Sequence, residues 1–179
     1  PNAIHFEIGQ PDLPPSDNVK SALQNAVTQN QFSYTESLGL KALREKIADY
    51  YDRTYQVNIN PNRILLTPGT SGAFLVAYAL TLNNGDKLGL TDPSYPCYKN
   101  FAYMIDIQPE FMPVDKQDCY QLSVEQLKRH QIKALQISSP ANPTGNIYTA
   151  ERLKALNEYC REHDIAFISD ELYHGLVYD

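Results

Sequence analysis

A loop rich in glycine and hydroxyl groups lies at residues 69–72, where the sequence reads Gly-Thr-Ser-Gly. It precedes an apolar segment with helical spacing, so its N–H groups would stand at a helix N-terminus, which favours negative charge. Glycine also lets a ligand approach the backbone closely. With the hydroxyls of Thr70 and Ser71, the N–H groups after Gly69 suit a phosphate. An ordinary helix start is the plainer interpretation, and the loop matches neither the G-x-G-x-x-G nor the G-x-x-x-x-G-K-S/T pattern of nucleotide sites.

A second candidate is the carboxylate of Asp170, which follows the apolar run at residues 165–169. A carboxylate among apolar neighbours is unfavourable unless it meets a cation or hydrogen-bond donors. It could hold magnesium, as the acid after an apolar strand does in nucleotide-hydrolysing enzymes, but the chain has no P-loop lysine. It could instead hold the protonated ring nitrogen of a pyridine cofactor, or simply cap a helix.

Two further segments carry residues that could orient a planar ligand. Asn142 begins the sequence Asn-Pro-Thr-Gly at residues 142–145, and the prolines around it would hold its amide in one orientation. Tyr95 lies in the sequence Asp-Pro-Ser-Tyr-Pro-Cys-Tyr at residues 92–98, where its ring could stack on another ring. The chain has 13 tyrosines, so packing is the plainer interpretation of any one of them.

These candidates are separated by segments that alternate between helix and strand. Hydrophobic spacing predicts helices over residues 16–29 and 40–51, and Ser123 with Gln126 predicts a capping box at the start of another helix. Strands are expected at residues 63–67, 87–91, 110–114, 133–138 and 165–169. Short apolar strands between helices indicate βαβ units, an α/β fold class and a sheet covered on both faces. In such sheets ligands bind beyond the carboxyl ends of the strands, where these loops lie.

The composition excludes several classes of protein. The chain has 179 residues, 42% of them hydrophobic and 20% charged, which is typical of one globular domain or of one domain with a small appendage. Its net charge of −6 argues against binding to nucleic acid or to an anionic membrane surface. The apolar stretch at residues 71–82 is too short to span a bilayer, and no secretion signal is visible. The three cysteines form no C-x-x-C pair, so we expect reduced thiols in a cytoplasmic protein, and neither a disulfide frame nor a metal site.

Taken in order, these segments resemble the class I and II aminotransferases, which are pyridoxal-phosphate enzymes of fold type I, like aspartate aminotransferase. The most specific part is Ser-Pro-x-Asn-Pro-Thr-Gly at residues 139–145, followed by an apolar strand ending in Asp-Glu-x-Tyr at 170–173. The resemblance extends back to Ile-Gly-Gln-Pro-Asp at residues 8–12. It implies a three-layer sandwich with a mostly parallel sheet, preceded by an N-terminal arm and helix. It also implies that residues 1–35 form the arm and part of a small domain, and that residues 36–179 belong to the large cofactor-binding domain.

The resemblance implies a cofactor site for pyridoxal 5'-phosphate. Gly69, Thr70 and Ser71 would bind its phosphate. Tyr95 would stack on its pyridine ring. Asp170 would pair with the ring nitrogen and keep it protonated, because an anion favours the charged form of a neighbouring base.

Further roles follow from the same resemblance. Asn142 and Tyr173 would bind the phenolic oxygen of the cofactor, which makes Asp170 and Tyr173 the expected catalytic residues. Gly9 and Asn142 would lie at the substrate. Tyr34 matches a tyrosine that contacts the cofactor phosphate of the neighbouring subunit, which implies a homodimer with shared sites.

The sequence also departs from the family pattern. The lysine that forms an imine with the cofactor lies in the family downstream of the Asp-x-x-Tyr block, and the arginine that binds the substrate carboxylate lies in a later small domain. The lysines of this chain stand outside any matching block. We therefore expect a fragment, inactive by itself, of an enzyme that moves an amino group between an L-amino acid and a 2-oxo acid. A pyridoxal-phosphate lyase, such as a carbon–sulfur lyase, and a non-catalytic relative of the fold remain alternatives.

Overall fold

The computed structural model describes residues 13–177 of the chain. The chain divides into two compact units, with the division between Leu66 and Thr67. Gly9, which we expect at the substrate, lies outside the described residues. The division reflects compactness alone, so the domain limits expected at residues 35 and 36 stay a prediction. Within the described part of the chain, no helix is long and apolar enough to cross a membrane.

The first unit contains both helices that hydrophobic spacing predicts. Helix α1 spans Asp17–Thr28 and helix α2 spans Lys41–Tyr55. Ser16 caps α1, because its side chain accepts a hydrogen bond from the Val19 N–H. The predicted apolar face of α1 is exposed, with 58% of Val19, 66% of Leu23 and 51% of Val27 accessible to solvent.

The strand expected at residues 63–67 is wrong. Pro61–Arg63 form a 3-10 turn, and the following residues have irregular backbone. Asn60 starts the turn, because its side chain accepts a hydrogen bond from the Asn62 N–H at 2.9 Å, and proline favours a first helical position. The Leu66 N–H donates to the Leu38 carbonyl at 3.0 Å, which is an isolated bond and not a ladder. None of residues 63–67 is buried, and Leu65 is 41% exposed. The apolar run therefore lacks both the burial and the partner strand that a strand of the sheet would have.

A buried arginine ties together the loops around α2. The side chain of Arg44 donates from Nε to the Gly39 carbonyl at 3.1 Å and from Nη1 to the Pro61 carbonyl at 3.0 Å. It also donates to Asn62 Oδ1 at 3.3 Å and to Glu36 Oε2 at 2.8 Å. Only 2% of Arg44 is exposed. The guanidinium therefore gives the buried Gly39 carbonyl a donor. It is a second donor for the Pro61 carbonyl, which also accepts from the Ile64 N–H at 3.2 Å.

The second unit is an α/β sheet domain. Its elements in chain order are α3 (Gly69–Thr81), β1 (Lys87–Asp92), α4 (Cys97–Met104), β2 (Gln108–Pro113), α5 (Val124–Leu127), β3 (Ala134–Ser138), α6 (Ala150–Glu162) and β4 (Ala166–Asp170). Among the described residues the strands form one parallel sheet in the order β2-β1-β3-β4. These elements confirm the other predicted strands, and α5 begins with the predicted capping box of Ser123 and Gln126.

Helices cover both faces of this sheet, which confirms the expected three-layer sandwich. On one face α3 and α4 pack on the sheet through a buried cluster that includes Phe74, Tyr78, Leu88, Leu90 and Tyr98. On the other face α5 and α6 do so through Leu127, Leu135, Ile137, Leu156 and Cys160. Every residue of the central strand β3 is buried, as expected for a strand packed on both sides.

The strand register brings the carboxyl ends of the strands to one edge of the sheet. Ser138 at the end of β3 pairs with Asp170 at the end of β4. Strand β1 runs parallel beside β3, so Asp92 ends at the same edge. The loops that follow β1, β3 and β4 therefore leave the sheet where parallel sheets bind their ligands.

An ion-pair cluster joins β1 and β2. Glu110 Oε2 lies 2.9 Å from the Lys87 ammonium, and Glu110 Oε1 lies 2.9 Å from Nδ1 of His130. The hydrogen bond from His130, followed by that from Lys87, lowers the pKa of Glu110 below its usual value of 4.5.

Candidate active site

Asp170 is a buried carboxylate held by two neutral donors. It is 9% exposed. The Tyr98 hydroxyl donates to Oδ2 at 2.5 Å, and the Leu172 N–H donates to Oδ1 at 3.1 Å. Within residues 13–177 no lysine, arginine or histidine forms an ion pair with it. Asp170 is therefore a buried carboxylate without a cationic partner among residues 13–177. A cation on a bound ligand would stabilise such a carboxylate.

Tyr95 stands close to this carboxylate. Its ring packs edge-on against the ring of Tyr98, with 5.4 Å between the ring centroids and 77° between their planes. A hydrogen bond with Cys97 is the largest cause that raises the pKa of Tyr95, and the nearby Tyr173 and Asp170 raise it further. Tyr95 is half-buried, so part of its ring remains accessible. The structure therefore brings together three residues that the sequence analysis assigned to one site.

Tyr98 is a residue of the candidate site that the sequence analysis did not single out. Burial, followed by its hydrogen bond to Asp170, raises its pKa, so its hydroxyl stays protonated and acts as a donor. The signal for it was its spacing, because Tyr98 lies three residues after Tyr95, and the turn that leads into α4 joins the Tyr98 N–H to the Tyr95 carbonyl at 3.2 Å. Residues with this spacing lie on the same side of a helical turn. Without the position of Asp170, however, nothing set Tyr98 apart from the other tyrosines.

The predicted phosphate loop forms the first turn of α3. Gly69 has φ +79°, a backbone conformation that favours glycine, and a Cβ placed there would meet no described atom within 4 Å. Among residues 13–177 no side chain caps this helix, and Thr70 and Ser71 are exposed. One turn further along α3, the centroid of the Phe74 ring lies 5.1 Å from that of the Tyr98 ring. Helix α3 therefore packs against Tyr98, the residue whose hydroxyl donates to Asp170.

Asn142 and Tyr173 lie in the loops that leave the two adjacent strands β3 and β4, and both are half-buried. The loop of Asn142 is closed by backbone hydrogen bonds from Gly145 to Ala141 at 2.7 Å and from Ala141 to Asn146 at 2.9 Å. Both predicted residues thus belong to the edge of the sheet at which Asp170 ends.

The two remaining candidates stay predictions. Tyr34 belongs to the first unit and is fully exposed there. Its expected contact is with the cofactor phosphate of a neighbouring subunit, which a single chain does not test. Gly9 lies outside the described residues.

The residues of the second unit fit pyridoxal phosphate. An uncapped helix start with two exposed hydroxyls suits the phosphate dianion. An accessible aromatic ring suits the pyridine ring. The buried carboxylate of Asp170 suits a protonated ring nitrogen, because the described residues offer it no other cation.

Comparison with known proteins defines the family. The family model for aminotransferase class I and II matches residues 1–179, and the chain belongs to this family, as its motifs predict. Members of the family generally depend on pyridoxal phosphate and use amino acids and 2-oxo acids.

Curated relatives and solved structures agree with this assignment. Valine–pyruvate aminotransferase of Mycobacterium tuberculosis is 33% identical over 177 residues, which are 98% of this chain and 46% of the relative. Aspartate aminotransferase of Bacillus subtilis is 31% identical over 180 residues, covering 99% of this chain and 46% of the relative. The crystal structure of an aminotransferase from Mycobacterium tuberculosis superposes with a TM-score of 0.93 at 34% identity, covering 96% of this chain and 48% of that chain. The chain thus spans about half the length of the curated relatives it matches.

Proposed function

We propose that the protein containing this chain is a pyridoxal-phosphate-dependent aminotransferase, which moves an amino group between an L-amino acid and a 2-oxo acid. The observation that carries the proposal is the buried Asp170 carboxylate, held by two neutral donors beside an accessible aromatic ring. When bound, the cofactor supplies an electron sink for the pair of electrons left when the α-proton of the amino acid is removed. The described residues of this chain hold and polarise that sink.

Asp170 keeps the ring nitrogen of the cofactor charged in this proposal. A carboxylate favours the protonated form of a neighbouring base. Its own orientation is fixed, since Tyr98 and Leu172 donate to different oxygens. A carboxylate has about four acceptor positions, so two donors leave room for the ring N–H.

The other residues bind and orient. The first turn of α3, with the hydroxyls of Thr70 and Ser71, holds the phosphate. Tyr95 covers one face of the ring. Tyr173 and Asn142 donate hydrogen bonds to the phenolic oxygen, which stabilises its negative charge.

We also propose that this chain alone does not transfer amino groups, because none of its lysines lies in a block that matches the imine-forming lysine of the family. The exposed Tyr34 supports a homodimer in which this residue reaches the phosphate of the neighbouring subunit. We propose a cytoplasmic location, because the three cysteines form no C-x-x-C pair and are expected to be reduced thiols.

The test compares Asp170→Asn with the unchanged protein, using the whole protein that contains this chain. Amino transfer from an L-amino acid to a 2-oxo acid is followed by proton NMR, and cofactor affinity by absorbance titration with pyridoxal phosphate. We expect Asp170→Asn to lower turnover at least about 100-fold, about 2.7 kcal/mol of barrier, while the dissociation constant of the cofactor changes far less. Asp49→Asn, which alters an exposed carboxylate of α2, is the control and should change neither. Equal losses in turnover and affinity for Asp170→Asn would refute the electron-sink role, and failure of the unchanged protein to bind pyridoxal phosphate would refute the proposed function.

A further inference from the structure

We infer that Tyr98 is a positioning residue for Asp170. The inference rests on the proposed function, because it concerns how Asp170 meets the ring nitrogen of the cofactor. It assigns a role to a side chain that the family pattern of the sequence analysis leaves without one.

Tyr98 determines where the Asp170 carboxylate points. Its hydroxyl donates to Oδ2, whereas the Leu172 N–H donates to Oδ1, so the two donors fix the plane of the carboxylate. Without the hydroxyl, the side chain would keep one donor and could rotate about its terminal bond, for which the rotamer preference is broad. Hydrogen bonds to charged groups are also stronger than those between neutral groups.

The ring of Tyr98 cannot follow such a rotation. It is 1% exposed. It packs edge-on against Phe74, with 5.1 Å between centroids and 79° between planes, and edge-on against Tyr95 at 5.4 Å. Tyr98 therefore contacts both residues that would hold the cofactor ring, Tyr95 through its ring and Asp170 through its hydroxyl. Because Tyr98 is held rigidly, it keeps the Tyr95 ring and the Asp170 carboxylate at a constant distance and orientation relative to each other.

Tyr78 and Gln136 form a second buried pair of polar side chains in this cluster. Tyr78, completely buried in α3, donates its hydroxyl hydrogen to Oε1 of Gln136 in the inner strand β3. The amide nitrogen of Gln136 is buried and has no hydrogen-bond partner among the described residues. Burial, followed by Asp170, raises the pKa of Tyr98 more than Ser138 and Gln136 lower it, so the Tyr98 hydroxyl keeps the proton that it donates to Asp170.

The test uses Tyr98→Phe, which keeps the ring and removes only the hydroxyl. The whole protein is loaded with pyridoxal phosphate that carries ¹⁵N in its ring, and the ¹⁵N chemical shift reports how far the ring nitrogen is protonated. We expect Tyr98→Phe to move this shift toward that of unprotonated pyridine and to lower turnover about tenfold or more, as for the loss of a hydrogen bond to a charged group. The dissociation constant of the cofactor should change less than about threefold.

Tyr148→Phe is the matched control. Tyr148 is 5% exposed, and its oxygen accepts a hydrogen bond from the Leu122 N–H at 2.9 Å, but it belongs to the cluster on the opposite face of the sheet. Removal of its hydroxyl should lower the melting temperature about as much as Tyr98→Phe does and leave the ¹⁵N shift unchanged.

A double-mutant cycle separates positioning from a general loss of stability. If Tyr98 acts through Asp170, Tyr98→Phe has no further effect on the ¹⁵N shift once Asp170→Asn is present. An unchanged shift in Tyr98→Phe, with a clear change in Asp170→Asn, would overturn the inference and leave the proposed function intact. Independent, additive effects of the two substitutions would overturn it as well. A protein that binds no pyridoxal phosphate would overturn both.

Discussion

The buried arginine of the first unit makes a strong stability prediction. Arg44→Lys keeps the positive charge but replaces a planar group of five N–H donors by an ammonium with three donors on one atom. Arg44 now serves acceptors in three directions: the carbonyls of Gly39 and Pro61, and the side chains of Asn62 and Glu36. A single nitrogen cannot reach acceptors that are spread along both sides of the guanidinium.

The magnitude follows from the acceptors that lose their donor. Each buried acceptor left unpaired costs about 1–3 kcal/mol, and we expect one to be lost, the carbonyl of the buried Gly39. The Pro61 carbonyl keeps the Ile64 N–H at 3.2 Å, and Asn62 is exposed to water. The ion pair with Glu36 adds little, because 60% of the Glu36 side chain is exposed and water screens it. The free energy of unfolding of the first unit should therefore fall by about 1–3 kcal/mol.

Urea unfolding and native-state hydrogen exchange measure this effect. Since the chain has two compact units, exchange of the α2 amides locates the loss in the first of them. Arg53→Lys on the same helix is the matched control, because Arg53 donates to the Asp49 carbonyl at 3.2 Å in an exposed setting. Its effect should stay within about 0.5 kcal/mol. Equal protection of α2 in both variants would refute the reasoning from buried acceptors.

Three further predictions concern the second unit. Leu156→Ala, which truncates a fully buried side chain, should destabilise the unit by about 2–5 kcal/mol, and an unchanged urea midpoint would contradict this. Burial raises the pKa of Cys160 to about 11, so iodoacetamide should alkylate the exposed Cys119 well before it, as measured by mass spectrometry of the digested protein. Glu110→Gln should lower stability at neutral pH, where the carboxylate benefits from its histidine and lysine partners. Because the folded pKa of Glu110 is lowered, this difference should be present above its usual value of 4.5 and disappear as the pH falls through the lowered pKa; equal differences in urea titrations at about pH 7 and about pH 3 would oppose it.

The errors and omissions of the sequence analysis have identifiable physical causes. Residues 63–67 have the composition of a strand, but Asn60 and Pro61 start a 3-10 turn there, and the run finds a single backbone partner instead of a ladder. Strand formation depends on a neighbour that local sequence does not describe. Gln136 was hidden for the opposite reason, since a polar residue within a predicted strand gives no sign of the buried hydroxyl that it meets.

Local sequence alone determined the α/β class, the family and the residues of the candidate cofactor site. These depend on hydrophobic period, on glycine and proline in loops, and on short motifs, all of which are properties of neighbouring residues. Only the tertiary structure decided that Asp170 has no cationic partner among the described residues, and that Tyr98 holds one of its oxygens. Asp170 and Tyr98 are far apart in the chain, and the parallel register of the strands, with α4 packed on one face, brings them together. The hydrogen bond between them and the burial of both side chains arise only from this tertiary contact, so neither segment by itself could have predicted them.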